Sequence, residues 1–453
     1  MTVTWTPRVE GSTGITEPVA AQGHGAAGDE GTRLLAGPRA ERGAELLAEQ
    51  DARIGEPDLL DLPELAASGL TGRGGGGFPF SRKVEATLNA SGECQVVVNA
   101  SESEPASRKD ATLLQLRPHL VLDGAAAAAA LIGARRAVVY LHRGDTATIR
   151  AVRSALTERA SARRDEGLEW SVLEAPALYL AGESSALVAV LEGKGPLPAL
   201  RRVPVAVSGV GGRPTLLSNA ETYAHVALIA RFGAGWFRTA GSAQSSGSTL
   251  VTLAGAVRAP GAVVEVTDPV RMRDLLTTYG GLRVPPRAVL LGGYGGAWVD
   301  GRTAWDIPID RSLLDRAGTG LGCGLIGVLS DAACGLAETA RLAAYLAGQT
   351  SGQCGPCFLG LPDLSSLFAD LAAGRAGSRR IRQTRELMSA VRGRGACGHP
   401  DGTIRMLESA LEVFGSELRG HSRAGRGHCP RRRCVPASGF PLGPAAFGGQ
   451  VGR

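Results

Sequence analysis

The chain has 453 residues, which predicts roughly two to four domains of ordinary size. Hydrophobic residues make up 44% of it, enough for a buried core, and a net charge of +6 without a long basic tract argues against a dedicated nucleic-acid-binding protein. The longest apolar stretch is too short to span a bilayer, and the N-terminus lacks the pattern of a signal peptide. We therefore expect no direct membrane span and a cytoplasmic location.

The first half of the chain begins with a polar arm and continues as an α/β domain. Residues 1–45 are rich in Gly, Ala and charge and have no apolar periodicity, so they predict a disordered arm. Further on, Gln95–Val98 predicts a buried strand, residues 111–133 a helix and Ala137–Leu141 a second strand. This order indicates a parallel α/β sheet, and we assign the domain to residues 46–244.

Four consecutive glycines, Gly74–Gly77, form the most distinctive loop of this domain. Glycines let the backbone adopt positive φ and approach a ligand closely, and successive N–H groups can then surround an anion. Arg73 and Lys83 flank the loop with positive charge suited to phosphate. A flexible linker is the alternative, but a linker needs no such flanking residues. The loop is neither the dinucleotide fingerprint after a strand nor the phosphate-binding loop that ends in Gly-Lys-Ser/Thr.

A polar loop follows the strand Gln95–Val98 and carries Asn99, Glu102 and Glu104. Ligands bind at the carboxyl ends of strands in open parallel sheets. An amide and two carboxylates at this position are suited to a flavin or base edge and to ribose hydroxyls. A solvated loop without a binding role is the alternative.

Two later segments give weaker signals. Gly182 and Glu183 lie between apolar stretches and indicate a turn that enters a helix. Asn219 and Thr222 are residue types common in turns and helix caps. Neither pair identifies a site by itself.

The second half of the chain changes character twice. Short β-rich runs split by Pro and Gly predict a small β-containing domain over residues 245–325. Residues 326–420 predict a four-helix bundle, with helix candidates at 334–347, 358–372, 380–392 and 402–418. Residues 421–453 predict a second disordered tail, in which Cys429 and Cys434 are interpreted as unpaired thiols.

The cysteines are too few for a disulfide scaffold in a chain of this size, and clustered cysteines in a reducing compartment more often bind metal or carry out redox chemistry. Cys354 and Cys357 form a C-x-x-C pair, and Cys397 on another loop can close the same site. Three thiolates fall short of the four of a [4Fe–4S] cluster, and Ser351 stands where the fourth ligand is expected. Structural zinc, a dithiol redox pair and no metal are the alternatives.

Together and in this order, these segments resemble the NADH-binding flavoprotein of respiratory complex I, its F or 51 kDa component, a family shared with NAD-reducing hydrogenases and NAD-linked formate dehydrogenases. The resemblance runs from about residue 65 to residue 418. The family's R-G-R-G-G-A-G-F-P-T-G-x-K and N-A-D-E-S-E-P are matched by Gly72–Pro79 with Lys83 and by Asn99–Pro105. Its K-D and P-H-L are matched by Lys109-Asp110 and Pro118-His119-Leu120. Its G-E-E-T-A-L and K-P-T-x-x-N-N-x-E-T are matched by Gly182–Leu187 and Arg213–Thr222. Its S-C-G-Q-C-x-P-C and a distant Cys are matched by Thr350–Cys357 and Cys397.

The resemblance implies a fold of three parts: a Rossmann-like FMN-binding α/β domain, a small ubiquitin-like β-grasp (SLBB) domain and a C-terminal four-helix bundle with an iron–sulfur site. It implies an NADH dehydrogenase subunit that passes hydride from NAD(P)H to FMN and single electrons to a [4Fe–4S] cluster. No catalytic acid or base is expected from the protein, because the cofactors carry the chemistry. The implied electron acceptor is a thioredoxin-like [2Fe–2S] protein or a ferredoxin, and a complex could hold the chain at the inner face of the membrane.

The resemblance also assigns site residues by position. The expected cofactor-binding residues are Gly72, Arg73, Gly74, Gly75, Gly76, Gly77, Phe78, Lys83, Asn99, Glu102, Glu104, Tyr179, Gly182, Glu183, Ser184, Ser218, Asn219 and Thr222. Among them, Arg73 and Lys83 would hold the FMN phosphate and ring edge, Phe78 would stack on the nicotinamide nucleotide, and Glu104 and Glu183 would meet its amide or ribose hydroxyls. The expected iron ligands are Cys354, Cys357 and Cys397, with Ser351 in the fourth position.

The sequence departs from the family pattern at several of these positions. Ser101, Ser184, Ser218 and Ser351 stand where the family has Asp, Glu, Asn and Cys, respectively. Ala86 replaces a family Phe, and residues 203–207 lack a second expected Phe. An acidic side chain near the adenosine ribose repels the 2′-phosphate of NADP, so the loss of one at position 184 predicts use of NADPH as well as NADH. The alternative function is a degenerate family member that keeps the fold as a non-catalytic assembly or binding subunit.

Overall fold

The structure is a computed structural model that describes residues 3–6, 33–35, 47, 48, 50, 51, 59–200, 203–375, 377–424 and 440–442. The strands of this part of the chain are β1 (Val3–Thr6), β2 (Gln95–Ala100), β3 (Arg136–His142), β4 (Glu169–Ala175), β5 (Thr215–Asn219), β6 (Gly241–Ser242), β7 (Ser245–Ser246), β8 (Thr249–Gly255), β9 (Val263–Val266), β10 (Val270–Arg271), β11 (Ala288–Leu291), β12 (Ala297–Asp300), β13 (Pro308–Ile309) and β14 (Leu325–Leu329).

The helices of the same residues alternate with the first strands and dominate the C-terminal part. They are α1 (Leu62–Ser68), α2 (Phe80–Leu88), α3 (Lys109–Leu116), α4 (Pro118–Ile132), α5 (Thr146–Ser161), α6 (Ser184–Leu191), α7 (Ala220–Phe237), α8 (Met272–Thr278), α9 (Gly301–Trp305), α10 (Arg311–Arg316), α11 (Gly335–Gly348), α12 (Leu361–Ala372), α13 (Ser378–Val391), α14 (His399–Val413) and α15 (Gly415–Ala424).

A parallel sheet forms the centre of the first domain. Its strands lie in the order β4-β3-β2-β5, and every neighbouring pair is parallel. Val96, Val97 and Val98 of β2 are fully buried, as expected for a strand covered by helices on both faces of the sheet. The predicted α/β class is therefore confirmed.

Two helices replace the single helix predicted over residues 111–133. Pro118 begins α4, lacks an N–H group and disfavours a helical conformation at Arg117, whose φ and ψ are −137° and 54°. The chain therefore ends α3 before it starts α4. Helix α4 packs directly against α7, because a Cβ atom on Gly124 would lie only 1.7 Å from the carbonyl oxygen of Tyr223.

A mixed sheet forms the second part, with strands in the order β1-β9-β8-β14-β11-β12. Strands β8 and β14 are parallel and the other neighbouring pairs are antiparallel, and α8 follows the β8–β9 hairpin. This arrangement agrees with the expected β-grasp domain. The boundaries drawn between the domains stay a prediction.

The N-terminal arm is partly ordered, so the prediction of a disordered arm over residues 1–45 is wrong for two segments. Residues Val3–Thr6 pair with β9 as an edge strand. The backbone N–H groups of Leu34 and Leu35 donate to the buried carboxylate of Glu265, and both leucines are buried. Apolar side chains and a carboxylate distant in sequence supply contacts that composition does not reveal. The remainder of the arm lies outside the described residues.

Helices α11–α14 form the predicted bundle around a shared apolar core. The helix predicted over 402–418 ends early, at Val413, because the Phe414 ring packs against Gly335 and a second helix starts at Gly415. Phe440 is also buried in this core, which corrects the prediction of a disordered tail at that residue, whereas Cys429 and Cys434 lie outside the described residues. None of the described helices is both long enough and apolar enough to cross a membrane.

Candidate functional site

A cleft of about 670 Å³ opens at the carboxyl edge of the parallel sheet. Asn99 at the end of β2 and Asn219 at the end of β5 are register partners on adjacent strands, and both line the cleft. Parallel strands bring their carboxyl ends to the same edge, which is where ligands bind in open α/β sheets. Two segments that are far apart in the chain therefore meet in one site.

The glycine loop forms one wall of the cleft. A bridge between Thr71 and Pro79 and a hydrogen bond from the Gly72 N–H to the Phe78 carbonyl, 2.9 Å long, close its base. Cβ atoms built on Gly76 and Gly77 would meet nothing within 4 Å, so this part of the loop borders open space. The loop is held at both ends and is not a flexible linker.

A buried ionic network supports the floor of the cleft. The Lys109 ammonium lies 3.0 Å from the Asp110 carboxylate and 2.8 Å from the Glu221 carboxylate. Burial by itself lowers the pKa of Lys109, but the surrounding carboxylates outweigh it and raise the pKa, so the lysine stays charged. Asp110 also accepts two hydrogen bonds from the Asn219 amide, each 3.1 Å long.

Arg73 does not line the cleft, contrary to the expected contact with the FMN phosphate. Its side chain is buried, and the guanidinium donates to the Ser246 carbonyl at 2.6 Å, behind the glycine loop. Its backbone N–H donates to the Thr222 hydroxyl, which in turn donates to the Asn219 side chain. Arg73 and Thr222 therefore hold the loop against the sheet and stand outside the wall.

Glu104 is a buried carboxyl on the cleft wall. One carboxylate oxygen accepts from the Tyr294 N–H at 2.9 Å and from the Tyr179 hydroxyl at 3.1 Å. The other oxygen is buried and has no partner among the described residues, and the same is true of the Ser101 hydroxyl on this wall. Burial raises the pKa of Glu104 to about 7, so the carboxyl gains or loses its charge near neutral pH.

Glu183 caps helix α6 and lines the cleft at the same time. Its carboxylate accepts from the N–H groups of Ser185 and Ala186, both at 2.9 Å, as the turn-and-helix pattern predicts. The Asn99 amide donates to the Gly182 carbonyl at 2.8 Å and ties this turn to the end of β2. A Cβ atom on Gly182 would lie 2.8 Å from the Ser101 carbonyl oxygen, so only glycine fits the junction.

Most of the predicted cofactor-binding residues lie on the wall of this cleft; Arg73 and Thr222 are the exceptions. The wall also contains residues for which the sequence predicted no role in binding. These are Ser101, Ser103, Ser107, Lys109, Asp110, Leu180, Leu217, Gly292, Gly295, Gly322, Cys323, Gly398, His399, Gly402 and Arg405. Lys109 and Asp110 stood in a matched motif that could have indicated them. The residues from Gly292 onward come from the second and third parts of the chain, and no sequence pattern around them predicts a place in the cleft.

The three predicted iron ligands meet where the segment before α12 faces the loop before α14. Cys354 precedes a short π-helical segment, Pro356–Gly360, which contains Cys357. Burial would raise the pKa of Cys354, but the N–H groups of Ala396 and Cys357 donate to its sulfur and lower the pKa. Burial raises the pKa of Cys357 to about 12, and the Ser351 N–H donates to that sulfur. Burial also raises the pKa of Cys397, with further contributions from Glu183 and Cys354.

Among the described residues, no group of three or more His, Cys, Asp and Glu side chains is placed to hold a single metal ion. A single zinc ion needs ligands about 2.3 Å from one point, whereas an iron–sulfur cluster spreads its thiolates over several irons. Three thiols on two facing loops, with N–H groups donating to sulfur, fit a cluster except at the fourth position.

The cysteine site adjoins the cleft. Gly398 and His399, directly after Cys397, line the cleft wall. The His399 ring lies 5.5 Å from the Tyr179 ring, measured between centroids, and Tyr179 donates to Glu104. A ligand in the cleft and a cluster at the cysteines would therefore be close neighbours.

Two segments of the chain match described protein families. Residues 65–228 match the family described as the Nuo51 FMN-binding domain. Residues 337–421 match the NADH-ubiquinone oxidoreductase-F iron-sulfur binding region. The first match contains the glycine loop and the sheet edge, and the second contains the three cysteines.

Whole-chain comparisons agree with these matches. The chain is 32% identical over 391 residues to the F subunit of the NADH-quinone oxidoreductase of Streptomyces coelicolor, covering 83% of this chain and 85% of the relative. It is 31% identical over 384 residues to the F subunit of the Mycobacterium bovis enzyme, covering 80% and 84%.

The fold is similar to that of a solved NAD⁺-reducing [NiFe]-hydrogenase in its H₂-reduced state. The TM-score is 0.74 and the sequence identity 28%, over 80% of this chain. The chain spans only 62% of that hydrogenase chain.

Proposed function

Because the chain belongs to the family of NADH-quinone oxidoreductase F subunits, we propose that its cleft binds FMN beside a nicotinamide nucleotide and that electrons leave through a cluster at the three cysteines. Family membership makes it an NADH dehydrogenase-type oxidoreductase with an FMN-binding domain and an iron–sulfur-binding region. The observation that carries the proposal is the cleft itself, which joins the glycine loop, the sheet edge and the cysteine-bearing loop.

The cleft suits FMN by size and by its polar atoms. About 670 Å³ lies within the usual range of roughly 300–1,000 Å³ for cofactor sites. The Glu104 oxygen and the Ser101 hydroxyl that lack partners among the described residues are ready to bind a polar ligand edge. Gly76 and Gly77 leave room for a phosphate against the loop amides, and the Lys83 ammonium on the same wall supplies positive charge.

Bound FMN would accept hydride from the nicotinamide and release electrons singly, and this chemistry is the cofactor's own. The protein's part is to bind and to orient. Phe78 is half exposed on the wall and offers a face for stacking on the nucleotide. Glu104 and Glu183 present carboxylate oxygens suited to amide or ribose hydrogen-bond donors.

The test is anaerobic titration of the full chain, purified without flavin, first with FMN and then with NADH. We expect saturable FMN binding, tighter than riboflavin binding because riboflavin lacks the phosphate that the glycine loop holds. We then expect NADH to bleach the bound flavin within one turnover. Equal affinity for FMN and riboflavin would contradict the assigned role of the loop.

A degenerate, non-catalytic subunit is the second candidate, favoured by Ser351 and by the missing aromatic residues at Ala86 and over 203–207. The same titration distinguishes the two functions. A chain that binds FMN but leaves it oxidised in excess NADH would be a binding subunit and no dehydrogenase.

Ser184 is expected to relax the choice between NADH and NADPH. It lies on the cleft wall next to Glu183, where the family carries a second carboxylate. We expect the wild type to reduce its flavin at similar single-turnover rates with both nucleotides. Ser184→Glu should slow NADPH relative to NADH by about tenfold, roughly 1.4 kcal/mol, through repulsion of the 2′-phosphate. Ser366→Glu on the exposed surface of α12 is the control. A strict NADH preference in the wild type would refute the prediction.

We also propose that the chain works within a multi-subunit complex, as the names of its relatives imply. Electrons must leave the cluster, and a thioredoxin-like [2Fe–2S] protein or a ferredoxin is the class of partner that can take them one at a time. A peripheral position on the cytoplasmic face of the membrane, reached through that complex, agrees with this assignment. Co-purification of the tagged chain with its partners would test it.

A further inference from the structure

Four positions converge at the cysteine site, but only three of them carry thiols. The loop 351–357 faces the loop that ends at Cys397, with the Ala396 N–H donating to the Cys354 sulfur. The Ser351 backbone N–H donates to the Cys357 sulfur, which places the Ser351 backbone beside that ligand. Position 351 lies three residues before Cys354, where the sequence leads us to expect a fourth ligand. The fourth ligand position of a cluster at this site, called the fourth corner below, therefore has no thiol at residue 351.

The serine is a poor substitute for a thiolate. Iron in sulfur clusters prefers soft thiolate ligands, and a hydroxyl must lose a tightly held proton to bind at all. The corner also faces solvent: Ser351 is half-buried, Gly352 and Gln353 are exposed, and a Cβ atom on Gly352 would meet nothing within 4 Å. Small molecules from solution can therefore reach this position.

Other candidate ligands among the described residues are already committed. The Cys323 thiol donates to the Gly292 carbonyl, with the sulfur 3.5 Å from the oxygen, and Cys334 caps α11 with its sulfur 3.7 Å from a Glu417 oxygen. The Glu183 carboxylate caps α6, and the Asp401 carboxylate accepts from the Gly393 N–H at 2.7 Å. None of these groups needs an iron to complete its hydrogen bonds.

We propose that the cluster held by Cys354, Cys357 and Cys397 has one iron without a protein ligand, and that this iron binds an external monodentate thiolate. The inference rests on the proposed function, since it presupposes a cluster at these cysteines. It adds a binding site that is open to solvent on the surface loop 351–355. The chemical class of ligand is a small thiol in its thiolate form.

An open iron has a chemical consequence that can be measured. Ferricyanide removes one electron from a [4Fe–4S]²⁺ cluster and becomes ferrocyanide. The iron without a protein ligand would then leave as Fe²⁺ and a [3Fe–4S]⁺ cluster would remain, which conserves both the total charge and the number of iron atoms. A fourth protein thiolate, or a bound external thiolate, would hold that iron in place.

The experiment uses the full chain, reconstituted anaerobically with iron, sulfide and FMN and then treated with one equivalent of ferricyanide. Iron per chain and the EPR spectrum are measured for the wild type, Ser351→Ala and Ser351→Cys, each with and without 2-mercaptoethanol. Ser366→Cys, which adds a thiol on the exposed face of α12, is the matched control. A Cys429→Ser, Cys434→Ser double variant tests whether either of these cysteines supplies the ligand.

We expect the wild type, Ser351→Ala, Ser366→Cys and the double variant to fall from about four to about three irons per chain and to gain the EPR signal of a three-iron cluster. Added 2-mercaptoethanol should slow this loss in all of them. Ser351→Cys alone should keep about four irons without added thiol. That pattern supports an open corner at position 351.

Three other results would overturn the proposal. Retention of iron by the wild type with loss in Ser351→Ala would make the serine a ligand. Retention by the wild type with loss in the double variant would assign the corner to Cys429 or Cys434. Equal loss from Ser351→Cys and the wild type would place the corner elsewhere. Flavin bleaching by NADH in the same samples reports separately on the proposed function.

Discussion

Replacing Lys109 with methionine is expected to lower the free energy of unfolding by about 3–5 kcal/mol, the usual cost of removing one partner from a buried ion pair. The ammonium is the only cation that the structure places between the carboxylates of Asp110 and Glu221 among the described residues, at 3.0 Å and 2.8 Å. Lys109 is 2% exposed and Glu221 is fully buried, so water cannot solvate the carboxylates in place of the lost ammonium. Urea unfolding of flavin-free protein measures the change.

The same substitution should also weaken FMN binding. Asp110 accepts both hydrogen bonds of the Asn219 amide, and Gly74 of the glycine loop packs against the Asn219 side chain. Without the ammonium, the Asp110 carboxylate would lose a partner that fixes its position, and a displaced Asp110 would disturb this wall. Lys194→Met is the matched control, because the Lys194 side chain is 66% exposed and its surface pair with Glu192 is worth about 0–1 kcal/mol. Equal losses of stability and of FMN affinity in Lys109→Met and Lys194→Met would contradict the role given to the buried network.

Replacing Glu104 with glutamine is expected to remove a pH dependence of stability. The folded pKa of Glu104 is about 7, raised from an ordinary 4.5 by burial. Between these two values the folded protein holds a proton that the unfolded chain releases. Stability should therefore fall as the pH rises from about 4.5 to about 7, by roughly 3 kcal/mol in total. The loss is complete above the folded pKa.

The amide that this substitution introduces cannot ionise, and its oxygen can still accept from the Tyr294 N–H and the Tyr179 hydroxyl. Glu104→Gln should therefore be more stable than the wild type at pH 8, by up to roughly 3 kcal/mol, and equal to it at about pH 4. Urea unfolding of the flavin-free protein across this range measures the difference. Glu169→Gln, at a side chain that is 78% exposed, should keep the slope of the wild type. An unchanged slope in Glu104→Gln would mean that another group titrates.

Local patterns in the sequence predicted the secondary structure around the site well. The buried valines of β2, the glycine loop before α2 and the C-x-x-C before α12 all lie where the sequence indicated. These features depend on hydrophobic runs, prolines and glycines that act on their own neighbours. The break between α3 and α4 was missed, although Pro118 was there to indicate it.

Side-chain direction was not predictable in the same way. Arg73 was expected on a phosphate, and it donates instead to Ser246, 173 residues away. Cys323 and His399 reach the cleft from the second and third parts of the chain. Such contacts depend on how separate elements pack, and a residue's neighbours in sequence carry no record of them.

The sequence alone determined which chemical groups are available: a glycine loop with a lysine beside it, acidic residues after a strand, and three thiols with a serine in place of the fourth. Tertiary structure decided which of these groups meet. The parallel sheet brought Asn99 and Asn219 to one edge, and burial moved the pKa of Glu104 to about 7. Facing loops of the bundle brought Cys397 to the C-x-x-C pair, because helices of similar length return the chain to the same end.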